Sequence, residues 1–161
     1  MNAGSGQGEG THRVELDHLV IAVRDVRDAA EAWAHALGLH AEPAFRPEGA
    51  HLDLARLALD AEGPVLSEVE GAFLELAAPA TPDHRLARFI DDRGEGMFSI
   101  SLRVDDLDAA VAGLRARGVP VSDPEDGAHP ERSRRTWPGT RLARIPRASA
   151  FGVAIQLIER G

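Results

Sequence analysis

Four polar side chains interrupt apolar stretches of this chain at matching places: His18 in HLVIAV, Glu75 in FLELAAP, Ser99 in SISLRV and Gln156 in AIQLIE. Ser99 follows His18 by 81 residues, and Gln156 follows Glu75 by the same 81. An imidazole, a carboxylate, a hydroxyl and an amide that converge in one pocket can share an ion or a polar ligand. A glutamate between Leu74 and Leu76 is rarely buried without such a partner. The absent residue types narrow the chemistry further. With no cysteine, disulfides, thiolate metal sites and cysteine nucleophiles are excluded. All 18 basic residues are arginine, which excludes Schiff-base chemistry on lysine. No tyrosine is present to act as a phenolic acid or base.

The elements that must position these four residues come in two copies. Residues 14–23 form a buried strand, and Asp25 caps a helix whose apolar face is Val26, Ala29, Ala30, Trp33 and Leu37, with Gly38 as its stop. Leu107, Ala110, Val111 and Leu114 repeat that face, with Gly118 as the stop. Extended pieces follow each helix: 40–46, 51–59 and 71–78 in the first half, 119–122, 139–145 and 151–158 in the second. Each half therefore has the order β-α-β-β-β, and self-similarity at this scale implies two like modules packed together. Between them, Leu86, Phe89 and Ile90 form the inner face of a short helix with Pro82 near its first turn. The expected fold is α+β, two tandem βαβββ modules around a U-shaped cleft. Its organisation is a disordered tail at 1–12, a first module at 13–80, a connecting helix at 81–96 and a second module at 97–161. Residues 123–138 form a long loop in which Arg132, Arg134, Arg135 and Trp137 either clamp an acidic group or face solvent.

Net charge of −8 argues against sequence-independent binding to nucleic acid or to anionic membranes, because both need a positive field. The Gly-rich start, MNAGSGQGEG, lacks the apolar core of a signal peptide, and no apolar run spans a bilayer. The expected location is cytoplasmic.

The stretches LDHLVIAVRDV (16–26), FLELAAP (73–79), FIDDRGEG (89–96), VDDLDAAVAGLRARGVPV (104–121), GAH (127–129) and GVAIQL (152–157) resemble the vicinal oxygen chelate superfamily, the glyoxalase and bleomycin-resistance fold. Within it, RGEG followed by the VDDLDAA helix and GAH is most similar to methylmalonyl-CoA epimerases. The resemblance implies a homodimer and a divalent metal (Co, Mn, Zn or Mg) held by the first and last strands of each module. Carried over by position, the metal residues are His18, Glu75 and Gln156. Ser99 departs from the family's histidine and Gln156 from its glutamate. Such a metal acts as a Lewis acid that stabilises the enolate left when a base removes the proton next to a carbonyl. Neutral serine is a poor donor to a divalent ion. The weakly aligned base is Asp53, and Phe98, Ser99 and His129 are the substrate-contacting positions.

Two functions follow. One is a metal-assisted epimerase, isomerase or lyase acting next to a carbonyl of a small carboxylate or acyl-CoA. The other is a metal-free protein of the bleomycin-resistance type that sequesters a hydrophobic or cationic small molecule. The acidic balance favours a cationic ligand in that case.

Overall fold

The first strand, β1 (Val14–Ala22), runs into Asp25, whose extended backbone opens helix α1 (Val26–Leu37). The Asp25 carboxylate accepts from the amides of Arg27 and Asp28, two donors with no partner inside the first turn. Gly38 ends the helix at φ 68°, a left-handed backbone that glycine adopts without a Cβ clash. Asp106 caps helix α3 (Leu107–Ala116) in the same manner through the Ala109 amide. The strand–Asp–helix repeat in the sequence is a repeat in structure.

A computed structural model describes residues 13–47, 50–59, 72–126 and 140–161. Seven strands form one mixed sheet in the order β2-β3-β1-β4-β7-β6-β5. The others are β2 (Leu52–Ala58), β3 (Phe73–Pro79), β4 (Gly96–Val104), β5 (Glu125–Asp126), β6 (Arg141–Ile145) and β7 (Ala154–Glu159). Within each half the first and last strands pair in parallel, β1 with β3 and β4 with β7. The halves join through β1 and β4, which run antiparallel. Each half thereby covers the edge that the other would leave open.

One face of the sheet is covered by α1, over Ile21, Ala55, Leu57 and Leu76, and by α3, over Val104, Ala143 and Leu157. Helix α2 (Arg85–Arg93) lies on the opposite face, where Leu86 and Ile90 pack on Val20, Ala22, Leu54 and Ala77. Pro82 stands in the turn before α2, and the ring of His84 caps the helix by accepting from the Leu86 amide at 3.2 Å. No helix among the described residues is long and apolar enough to cross a membrane.

Some extended pieces differ from expectation. Residues 40–46 make only two isolated bridges, Ala41 to Leu57 and Phe45 to Leu54, around Pro43, which has no N–H to donate. Residues 119–122 form no strand. Pro120 interrupts them, and Ser122 meets β6 through its backbone N–H and its hydroxyl instead. The last strand starts at Ala154 rather than 151. A 3-10 turn over Arg147–Ser149 and Phe151, at φ 52°, occupy the approach to it. The expected tail at 1–12 and most of the expected loop at 123–138 lie outside the described residues.

Candidate functional site: one face of the sheet

Strand register sets the site. One row across the sheet reads Ala58, Phe73, His18, Ser101, Gln156, Arg144, and the next reads Arg56, Glu75, Val20, Ser99, Ala154. Directly opposed residues project from the same side of a sheet. His18, Glu75, Ser99 and Gln156 therefore share the face that carries α2.

In the first half this face is filled and paired. His18 Nδ1 lies 2.6 Å from Asp17 Oδ1, and Arg160 lies 2.6 Å from Asp17 Oδ2. Asp17 as acceptor places a ring proton on Nδ1, and Nε2 shares a hydrogen bond with the Ser101 hydroxyl at 3.0 Å, accepting it when the ring is neutral. Burial works to raise the Asp17 pKa, but the hydrogen bonds and charges of His18 and Arg160 outweigh it and hold the carboxyl below its usual range. The imidazole stacks on Phe73, ring centroids 4.8 Å apart. Beside it, Arg56 Nε donates to Glu75 Oε2 at 3.3 Å, and the guanidinium lies against the rings of Phe45 and Phe73. Arg56 is only 6% exposed, so this is a buried ion pair.

In the second half the face opens into a cavity of about 520 Å³, lined by Phe98, Ser99, Arg144, Arg147 and Gln156 with Pro120 and Ile155 among its apolar walls. A cavity of this size suits a small organic molecule. Ser99 is 1% exposed, and its Oγ has no hydrogen-bond partner. The Nε of Arg144 is likewise buried without one, although this arginine forms an ion pair with Glu125 at the sheet edge. Burial pushes the Arg144 pKa down. Burial and the nearby charge of Arg93 do the same to Arg147. Arg147 donates to the carbonyls of Phe98 and Gly152 and lies 4.7 Å from the ring centroids of both Phe89 and Phe98. Phe98 sits where β4 slips register against β1, between Val20 and Ile21. The arginines set the local sign: this acidic protein presents a cationic cavity, contrary to the cationic ligand expected from net charge.

The other expected residues fare differently. Asp53 has the strand parity of Ala55 and Leu57, which pack under α1, and so stands on the face opposite His18. Arg46 binds it with two hydrogen bonds of 2.8 Å and holds its carboxyl below the usual range, which weakens it as a base. Phe98 and Ser99 line the cavity. His129 lies outside the described residues.

Reading from the sequence missed Asp17, Arg56, Ser101 and Arg144. The repeat matched His18 with Ser99, but the antiparallel register of β1 and β4 sets Ser101 opposite His18 and Ser99 opposite Val20. For the arginines a signal exists. Leu54-Ala55-Arg56-Leu57 and Leu142-Ala143-Arg144-Ile145 are a second internal match, with Arg56 opposite Glu75 and Arg144 opposite Gln156. It is weak, since Leu86-Ala87-Arg88 in α2 shares the triplet.

The donor set also tests the implied metal. Both imidazole nitrogens of His18 are engaged, and the Glu75 carboxylate already carries a guanidinium. Ser99 and Gln156 bring no charge. A divalent cation here would meet the buried positive charge of Arg56 with no free carboxylate to offset it. Among the described residues no three His, Asp or Glu side chains gather at metal-ligand distance. The residues present do not fit a divalent metal.

Comparisons with known proteins agree on the architecture. The protein YqjC of Bacillus subtilis (strain 168), itself uncharacterised, is 28% identical over 147 residues, covering 89% of this chain and 91% of its own. The methylmalonyl-CoA epimerase of Mycobacterium tuberculosis is 30% identical, covers 91% of this chain and 88% of its own, and superposes with a TM-score of 0.68. A variant of the Streptomyces coelicolor methylmalonyl-CoA epimerase, solved in complex with 2-nitronate-propionyl-CoA, is 23% identical with a TM-score of 0.68, covering 91% of this chain and 97% of its own. At that identity the likeness is one of fold. The sequence profile of one family extends over residues 17–134, through β1, both sides of the central joint and α3, and by that match the chain belongs to the Glyoxalase/Bleomycin resistance protein/Dioxygenase superfamily.

Proposed function

We propose that this chain binds a small organic anion with an apolar body in the second-half cavity, and that it does so without a divalent metal. The observation that carries the reading is the buried, unpartnered Ser99 hydroxyl in a cavity whose other polar side chains, among the described residues, are Ser122, Gln156 and arginines. A buried hydroxyl left unmatched costs about 1–3 kcal/mol, a cost that a ligand oxygen removes. Apolar walls take the body of such a ligand, and the arginines take its charge. The first half contributes rigidity: its charges neutralise each other and its aromatic rings fill the space. A panel of aliphatic carboxylates and matched amines, compared by thermal shift, tests this reading. Carboxylates are expected to raise the melting temperature and amines to leave it in place. Tight, stoichiometric retention of Mn, Co or Zn after soaking and dialysis would overturn the metal-independent part.

A second reading, epimerase-type proton transfer next to a carbonyl, is favoured by one specific arrangement. The Asp17 carboxylate against His18 Nδ1 is the geometry that supports an imidazole accepting a proton at Nε2, with the carboxylate stabilising the imidazolium. In this reading the substrate is an acyl-CoA or small carboxylate, as in the epimerase relatives. Proton NMR of methylmalonyl-CoA in deuterated water tests it. Deuterium entering at the carbon between the two carbonyl groups, at a rate that falls in His18→Gln, is the expected result. No exchange above the protein-free rate rejects it.

A further inference from the structure

The two halves carry one design and differ in the residue that stands opposite the strand arginine. In the first, Arg56 on β2 stands directly opposite Glu75 on β3; in the second, Arg144 on β6 stands directly opposite Gln156 on β7. Each pair occupies the same place relative to its own parallel strand pair, β1 with β3 or β4 with β7. Glu75 accepts from Arg56 Nε. Gln156 offers no charge, and the corresponding Nε of Arg144 is buried without a partner. Arg144 turns instead toward Glu125, a residue with 43% of its side chain exposed at the sheet edge. The first pair is closed on itself; the second faces the cavity.

We infer that Gln156 is the specificity-determining residue of the cavity: its neutrality leaves the Arg144 guanidinium free at Nε to take the carboxylate of the ligand, the role that Glu75 fills internally in the other half. The inference rests on the organic-anion reading of the cavity. It adds the group that receives the charge and the residue that keeps that group available. Ser99 completes the site from the neighbouring row, donating its hydroxyl to the second carboxylate oxygen. An ammonium ligand meets no carboxylate among the described lining residues, and a neutral amide forgoes the charge-assisted bond, so the site discriminates by charge as well as by shape.

The test compares sodium hexanoate with hexanamide, which have the same apolar body, by isothermal titration on the whole chain. The wild-type protein is expected to bind hexanoate at least about ten-fold more tightly than hexanamide, as a charge-assisted hydrogen bond implies. Gln156→Glu supplies the carboxylate from within and is expected to lower hexanoate affinity by about ten- to a hundred-fold, with a far smaller change for hexanamide. Arg144→Gln is expected to abolish the preference between the two probes, and it serves as the independent variant should Gln156→Glu fail to fold by its NMR spectrum. Hexanoate bound by Gln156→Glu as tightly as by wild type overturns the inference while leaving the anion reading in place. So does an equal loss for both probes, which would mean the cavity had merely been repacked. Failure of the wild-type protein to bind hexanoate at all overturns both.

Discussion

The two halves of the sheet begin from the same pattern and end as opposites. Both have an aspartate-capped helix on one face and an arginine opposite a glutamate-like residue on the other. In the first half, Phe73 and Phe45 fill the space, Glu75 neutralises Arg56, and Asp17 and Ser101 occupy both nitrogens of His18. In the second, Ala154 stands where Phe73 stands in the first, Ser99 replaces His18, and Gln156 replaces Glu75. Three smaller or uncharged residues open a cavity and leave buried polar atoms without partners. The same scaffold occurs twice: on one copy this face is filled and paired, and on the other it is open.

Stability measurements can break this contrast. The largest effect is expected from Glu75→Ala, which removes the carboxylate paired with a guanidinium only 6% exposed. Breaking a buried pair from one side costs roughly 3–5 kcal/mol. The matching Gln156→Ala is expected to cost about 1 kcal/mol or less, since no charged partner is left behind. Equal losses in urea unfolding would mean that the halves do not differ as described.

Asp17→Asn sharpens the picture of the first half through pH. The folded state holds the Asp17 carboxyl below its usual range, so it prefers the ionised form. The resulting stability is fully present above the unfolded pKa of about 3.9 and is lost as pH falls through the lower folded value. At neutral pH the variant is expected to lose about 2–3 kcal/mol. Below about pH 4 its stability should fall less steeply than that of the wild type. Parallel acid-unfolding curves would show that Asp17 is not coupled to folding in this way.

The smallest change is expected from Ser99→Ala. Removing a buried hydroxyl that has no partner is expected to leave stability unchanged or raise it by up to about 1 kcal/mol, while weakening carboxylate binding several-fold. A clear loss of stability in calorimetry would mean that the hydroxyl is satisfied in the free protein, and the receptor half would lose its main evidence.

Much of the architecture was legible in the residues. Asp25 and Gly38 bound the first helix because a cap needs a short acceptor and a stop needs a left-handed backbone, both local requirements. The offset of 81 residues matched His18 with Ser99 and Glu75 with Gln156, and strand register puts all four on one face, but only Ser99 and Gln156 line the cavity. The irregular strands were harder: Pro43 and Pro120 remove donors from stretches whose composition otherwise looks extended. Asp53 was misplaced because a weak motif alignment carries no strand parity, and parity puts it on the face opposite His18. The sign of the cavity was illegible from a net charge of −8, since the arginines that line it are dispersed from Arg85 to Arg147.

By itself the sequence determined two halves that each open on a strand, an aspartate cap and a helix, and which chemistries the missing cysteine, lysine and tyrosine forbid. Those properties depend on neighbours within a few turns, where side-chain spacing and backbone preference act directly. Only the tertiary structure decided that Ser101 meets His18, that Arg56 closes on Glu75, and that Arg144 does not close on Gln156. Such pairings join residues far apart in the chain, and a register shift of one residue would send every one of those side chains to the other face.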